Sequence, residues 1–246
     1  MYIGISNLNP PEATESRTQL SHVIAVIGCD GSGKSTLSAD LILELQKQHP
    51  VQLVYLGQSS GKIGDWIGEL PLIGPRFQRY LVTKAAKSDE NKKSEPEGVT
   101  ALVIYLLSKW RLHKFKKMLK LNRRNILVLT DRYPQAEVNG FNVDGAGLNS
   151  TLSKTWFSKK LAEREQKMYQ WMANHIPALL IRLNIDAKTA HARKPDHKMT
   201  RLEAKIAIIP NLTFNNATIL DLDSRKPYDV MLNSALEASK QVTNGV

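Results

Sequence analysis

Five consecutive aliphatic residues, Val23-Ile24-Ala25-Val26-Ile27, run without a polar break into Gly28-Cys29-Asp30-Gly31-Ser32-Gly33-Lys34-Ser35-Thr36. An uninterrupted apolar run of this kind reads as a strand buried on both faces, as inside a parallel sheet. The segment from Gly28 to Thr36 has the spacing G-x4-G-K-[ST], which carries physical meaning where a strand feeds a helix. Glycines let successive backbone N–H groups turn inward on phosphate oxygens, and the helix beginning near Lys34 offers its positive end to the same anion. Lys34 would then bridge β- and γ-phosphates, and the Ser35 hydroxyl would take a place on Mg²⁺. The bland alternative, a glycine-rich turn with a chance lysine, accounts for neither the strand before it nor the helix after it. Gly28, Asp30, Gly31, Ser32, Gly33, Lys34, Ser35 and Thr36 are therefore the expected nucleotide-binding residues.

Short aliphatic runs recur at 51–56, 126–130, 178–183 and 218–222, separated by stretches with helical character at 34–48, 96–122, 153–174 and 227–243, and a shorter one at 198–208. Strands alternating with helices in this way predict a doubly wound α/β fold. In the second helix Val99, Leu102, Val103, Leu106, Leu107 and Trp110 repeat at three and four, which predicts one core-facing stripe. Residues 1–20 have no apolar periodicity and read as a mobile leader, leaving 21–246 as one domain. The connections 57–93 and 134–152 are long and rich in Gly, Ser, Asn and Lys, a pattern that marks functional or disordered loops.

The third strand ends in Leu129-Thr130-Asp131-Arg132-Tyr133. At a carboxyl edge beside the first strand, the Asp131 carboxylate could hold Mg²⁺ through water, and the planar Arg132 guanidinium could grip a phosphate with two parallel hydrogen bonds. Alone, such a pair reads equally well as a local salt bridge at a turn; the glycine loop upstream favours phosphate chemistry.

The order of glycine loop with Asp30 before its middle glycine, a later helix containing Leu106-Leu107-Ser108-Lys109-Trp110-Arg111, and then Asp131-Arg132-Tyr133 resembles thymidylate kinase and its relatives among the P-loop nucleoside monophosphate kinases. The likeness runs from about residue 23 to 240. It implies a three-layer fold with a five-stranded parallel sheet of order 2-3-1-4-5, ATP as phosphoryl donor, Mg²⁺, and a phosphorylated acceptor, with dTMP foremost. Carried over position by position, it implies catalytic roles for Lys34, Asp131, Arg132 and Arg193, metal contacts from Ser35 and Asp131, and acceptor contacts from Asp30, Arg111 and Arg132. It also implies a basic lid at about 191–204, for which Arg193, Lys194, Lys198 and Arg201 are available. The sequence departs from the family at two places. The Arg-Glu-Pro-Gly-Gly stretch after the second strand is replaced by Leu56-Gly57-Gln58-Ser59-Ser60-Gly61-Lys62, and the base-reading residues after Asp131-Arg132-Tyr133 by Pro134-Gln135-Ala136-Glu137-Val138-Asn139-Gly140-Phe141. In these respects it resembles divergent thymidylate kinase-like proteins.

Composition narrows the rest. With 42% hydrophobic and 23% charged residues the chain of 246 is neither disordered nor collagenous. It has no window of 18 apolar residues and no apolar signal segment, so a cytoplasmic protein without a transmembrane segment is expected. The single Cys29 excludes an intrachain disulfide, and its place inside the glycine loop gives it no assigned chemistry. His191 and His197 lack metal-site spacing. A net charge of +11 calls for an anionic partner. Lys109, Arg111, Lys114, Lys116, Lys117, Lys120, Arg123 and Arg124 crowd one helix and its end. They read first as a solvated face, with weak, non-specific binding to nucleic acid or an anionic surface at most. A homodimer is left open. The competing class to a small-molecule kinase is an NTP-hydrolysing switch or binding module built on the same loop.

Overall fold

The computed structural model describes residues 16–57, 97–143 and 145–244. The elements in chain order are β1 (Thr18–Gly28), α1 (Lys34–Leu45), β2 (Val51–Tyr55), α2 (Val99–Asn122), β3 (Leu127–Asp131), the two-residue strands β4 (Phe141–Asn142) and β5 (Gly145–Ala146), α3 (Trp156–Ala173), β6 (His175–Asn184), α4 (Ala187–Arg193), α5 (Met199–Ile208), a 3₁₀ turn at Ile209–Asn211, β7 (Ile219–Asp223) and α6 (Tyr228–Asn244). The main sheet is parallel with order β2-β3-β1-β6-β7, which is 2-3-1-4-5 once the small β4–β5 ladder is set aside, as expected.

Alternation along β1 explains why it sits at the centre. Val23, Ala25 and Ile27 join one core cluster with Phe115 and Met118 of α2 and Tyr169 and Met172 of α3. Ile24 and Val26 join the other with Leu37 and Leu41 of α1 and Met231 and Ala235 of α6. Successive side chains point to opposite faces, so a strand covered by helices on both sides must be apolar at every position. The helices thus form two outer layers, α1 and α6 on one face of the sheet and α2 and α3 on the other.

Three sequence expectations change. β1 begins at Thr18, so Thr18, Gln19 and Leu20, grouped with the leader, pair with His175, Ile176 and Pro177 of β6; the leader residues 1–15 lie outside the described residues, as do residues 58–93 of the long connection, the helix start at Pro96, and Asp144. A short helix, α4, intervenes between β6 and the expected lid helix, capped by Asp186, whose carboxylate accepts from Thr189 N at 2.8 Å. The apolar stripe proposed for α2 is rotated. Val99 and Trp110 are exposed, Leu102, Leu106 and Leu107 half-buried, and the inward face is Ala101, Val103, Ile104, Ser108, Arg111, Phe115 and Met118. Periodicity reads apolar residues as buried, whereas here two polar side chains with partners of their own occupy the core side.

The α2 layer is anchored by Phe115, fully buried and edge-on to Tyr133, Trp171 and His175 at centroid distances of 5.7, 6.0 and 5.7 Å. Truncation removes both the transfer free energy and these aromatic contacts. Phe115→Ala is expected to lose about 4 kcal/mol of stability, read as a lower midpoint in urea unfolding with an unchanged slope.

Candidate active site

Glycines shape the loop between β1 and α1 for separable reasons. Gly31, at φ +83°, would place a Cβ 2.7 Å from the Ala190 carbonyl oxygen, and Gly28 would place one 2.7 Å from Leu183 O, so α4 and the end of β6 press directly on the loop backbone. Gly33 caps α1 at φ 88° and offers no side-chain acceptor. The first-turn N–H groups of α1 therefore have no side-chain cap, the condition under which a helix start receives an anion.

Lys34 is 6% exposed, and its ammonium folds back to donate to Cys29 O at 2.7 Å. Burial, and then the nearby Arg132 charge, draws its pKa down to about 8, against Asp30 and Asp131, which act in the opposite sense. Ser35 and Thr36 stand exposed at the start of α1. The Ser35 hydroxyl donates to Asp131 Oδ2 at 3.1 Å, joining two residues 96 positions apart in the chain. The other carboxylate oxygen, Asp131 Oδ1, is buried without a hydrogen-bond partner, 4.0 Å from Arg132 Nε. A buried carboxylate oxygen lacking a hydrogen bond, next to a serine hydroxyl at a helix start, is a donor set that suits a hard divalent cation such as Mg²⁺. Ser32 is buried within the loop.

Arg132 is one of few non-glycine residues at positive φ, 75°. That conformation costs about 1–2 kcal/mol, and two hydrogen bonds hold it: Arg132 N donates to Val26 O at 2.8 Å and Thr130 Oγ1 donates to Arg132 O at 2.6 Å. The turn carries the guanidinium over the Tyr55 ring, 5.4 Å from its centroid.

The end of β2 collects further cations. Arg111, 2% exposed, donates from Nε to Leu56 O at 2.6 Å and from Nη1 to Tyr169 Oη at 2.9 Å. Lys114, one helical turn on, donates to Gly57 O at 2.5 Å and lies 5.1 Å from the Tyr55 ring centroid. A Cβ on Gly57 would meet the Tyr55 ring at 2.2 Å, so a side chain there would displace the ring that Lys114 and Arg132 share. The basic run in the sequence groups Lys114 and Arg111 with a solvated face; Lys114 is half-buried and Arg111 fully inside, so neither belongs to that face. Their i, i+3 spacing is the signal available in the sequence. The loop residues Gln58 to Lys62 that replace the family stretch lie outside the described residues.

The segment expected as a lid holds a residue that the sequence did not single out. Lys205 of α5 pairs with Asp30 Oδ2, and His197 Nδ1 lies 3.6 Å from the same oxygen. Burial acts to raise the Asp30 carboxyl, but the Lys205 charge and hydrogen bond outweigh it and hold the group below its usual range. Arg193 Nη1 donates to Gly31 O at 3.3 Å and its Nη2 to Ser224 O at 2.9 Å, bracing the loop from α4. Lys194, Lys198 and Arg201 are exposed. Cys29 is buried, and that burial pushes its thiol pKa up, as suits a residue without chemistry. Among the described residues no cluster of His, Cys, Asp and Glu has the makings of a metal site of its own.

Beyond Arg111 lies a cleft lined by Gln135, Val138, Asn139, Leu148, Gln166 and Tyr169, with Glu165 at its base. Glu165 is 3% exposed, hydrogen-bonded to the Ser108 hydroxyl, and accepts from Leu148 N at 2.6 Å. Burial pushes its carboxyl up to about 7, against those two hydrogen bonds and the Arg111 charge. The folded state therefore binds a proton that the unfolded chain releases near pH 4.5, and stability falls as pH rises from about 4.5 to about 7. Glu165→Gln keeps an acceptor for Leu148 N, and its amide group meets the Ser108 oxygen once that hydroxyl, which donates to Glu165, turns to accept. The substitution should flatten that decline, which urea unfolding at a series of pH values will read.

No protein-family model matches the chain. Over 216 residues it is 55% identical to the "uncharacterized ATP-binding protein YghS" of Escherichia coli K12, covering 88% of this chain and 91% of that protein. It is 42% identical, again over 216 residues, to the "uncharacterized ATP-binding protein YghR" of the same strain, covering 88% of this chain and 86% of that protein. Likeness at this level, spanning nearly the whole of each chain, makes this chain a member of the family that contains YghS and YghR.

Proposed function

We propose that this protein is an ATP-dependent phosphotransferase that moves the γ-phosphoryl of ATP to a small phosphorylated acceptor. The observation that carries the reading is the presence of two cationic sites on either side of Asp131: the glycine loop with Lys34, and the group Arg132, Lys114 and Arg111 around Tyr55 and the end of β2. A nucleotide-hydrolysing switch needs the first and an ordered water; a kinase also needs the second, because its acceptor brings negative charge of its own. ATP as donor accords with the description of YghS and YghR as ATP-binding proteins.

In this reading the loop from Gly28 to Thr36 cradles the donor phosphates and the Lys34 ammonium leaves Cys29 O to meet the γ-phosphoryl. Ser35 and Asp131 would hold Mg²⁺, which when bound neutralises charge on the donor phosphates. Arg132 grips the acceptor phosphate with two parallel hydrogen bonds and sets one oxygen in line with the γ-phosphorus. That oxygen forms the new P–O bond while the bond to the β–γ bridging oxygen breaks, leaving ADP. Lys114 takes the place of the arginine that the thymidylate kinases carry after their second strand, with Arg111 behind it. Arg193 closes on the transferring group from the lid side, and Asp30 releases Lys205 to the phosphates as it turns to the acceptor. dTMP is the first acceptor to test, followed by other nucleotides and sugar phosphates.

ADP release from ATP, measured across a panel of phosphorylated acceptors and their dephosphorylated counterparts, tests the reading. A member of the phosphorylated set should raise it well above the basal rate; a rate indifferent to every acceptor would identify a hydrolysing module instead. With the working acceptor, Arg132→Ala should lower kcat/KM for the acceptor by roughly a hundredfold, about 3 kcal/mol, with KM for ATP little changed; loss of ATP affinity would move Arg132 to the donor. Lys34→Ala should leave the far-UV spectrum unchanged and abolish most transfer. The Lys34 ammonium is charged below its pKa of about 8 and lost above it, so kcat/KM for ATP should fall as pH rises through about 8.

A further inference from the structure

The outer faces of α2 and α3 carry a surface that phosphoryl transfer does not use. On α2 and the turn after it, Lys109, His113, Lys116, Lys117, Lys120, Arg123 and Arg124 are exposed. On α3 and the loop before it, Lys154, Lys159, Lys160, Arg164 and Lys167 are exposed, with Glu163 half-buried. The two helices lie side by side, tied at their starts by Gly98 N donating to Ser158 Oγ at 3.1 Å and along their length by Ser108 with Glu165 and Arg111 with Tyr169. Among the described residues none of these exposed lysines and arginines belongs to an ion pair. The sequence shows the α2 half of this surface; only the packing of α3 against α2 adds the second row.

Large apolar side chains stand beside the charges at one end. Trp156 is 77% exposed, Leu152 58% and Phe157 44%. Trp156, Lys160, Arg164 and Lys167 stand at i, i+4, i+8 and i+11, so the tryptophan heads the same stripe that the cations continue. A soluble chain gains nothing by leaving indole, phenyl and isobutyl groups together in water. Indole rings with lysines around them suit the boundary of a bilayer, where the ring sits at headgroup level and the cations meet anionic lipid. Nucleic acid would match the charge but not Leu152. A second copy seated on this face by a twofold axis would set cation against cation. Among the described residues no helix is long and apolar enough to cross a membrane, so the contact would be peripheral.

We propose that the α2–α3 face docks on an anionic lipid bilayer, with Leu152, Trp156 and Phe157 inserted at headgroup level and the lysine rows lying over anionic headgroups. This inference does not depend on the transfer reaction.

Cosedimentation of the full chain with vesicles of phosphatidylcholine, with and without about 30% phosphatidylglycerol, tests it. Binding is expected to the anionic vesicles, to weaken with salt, and to fall roughly tenfold or more in W156S/F157S and in K159E/K160E. K116E/K117E on α2 serves as a third variant should either of the others fail to show the wild-type far-UV spectrum and melting temperature. No partition into anionic vesicles, equal partition into the neutral ones, or binding unaltered in folded variants would overturn the proposal. So would duplex DNA binding more tightly than the vesicles and losing nothing in W156S/F157S, which would make the face a nucleic-acid surface.

Discussion

The parallel register that pairs Val26 of β1 with Asp131 of β3 governs the whole carboxyl edge of this sheet. It sets the Asp131 carboxylate level with the loop that leaves β1, within 3.1 Å of the Ser35 hydroxyl. The next residue continues the pairing, since Arg132 N donates to Val26 O, and the left-handed turn at Arg132 then aims the guanidinium over Tyr55 on the far strand. A slip of one residue would turn Asp131 to the other face of the sheet and leave Ser35 without it. Burial of β1 by helices on both faces is what holds the register against such a slip.

The same burial makes the charged side chains at the site costly unless each has a partner. Lys34 uses a loop carbonyl, Arg111 a strand-end carbonyl and a tyrosine hydroxyl, and Asp30 an ammonium from the lid side. Most of these partners are main-chain atoms or groups on a neighbouring element. They therefore satisfy the charge without neutralising the site as a whole, which keeps an excess of cations around Asp131. Cations held this way are oriented by the fold itself, which has already met the cost of their burial. Arg182 obeys the same logic away from the site: its bidentate pair with Asp221 and its bonds to Ile209 O and Leu212 O tie β6 and β7 to the segment after α5.

The segment expected as a lid, α4 and α5, lies in closer contact with the glycine loop than a mobile element would. Ala190 packs on Gly31, Arg193 reaches Gly31 O, and Lys205 pairs with Asp30. Any movement of α4 and α5 is thereby coupled to the conformation of the loop. The coupling runs through one ion pair, one hydrogen bond to Gly31 O and a close approach of Ala190 that leaves no room for a methyl group on Gly31.

By itself the sequence determined the doubly wound α/β class and the glycine loop between strand and helix, because both rest on local rules; the strand order followed only from the family resemblance. An all-apolar strand must be doubly covered, and G-x4-G-K-S between a strand and a helix admits one geometry; Asp131-Arg132 at a strand end was legible for the same reason. Tertiary structure alone decided which cations face the site. Arg111, Lys114, Lys116 and Lys117 look alike in a basic run, and helical phase fixes only which of them share a side. It took the packing of α2 against the end of β2 to bury Arg111, to lay Lys114 on Gly57 O and to leave Lys116 and Lys117 in water. Lys205 escaped notice because a lysine 175 residues from Asp30 carries no local mark of its partner. Charge is a property of the residue, but which group it meets depends on distances that only the folded chain sets.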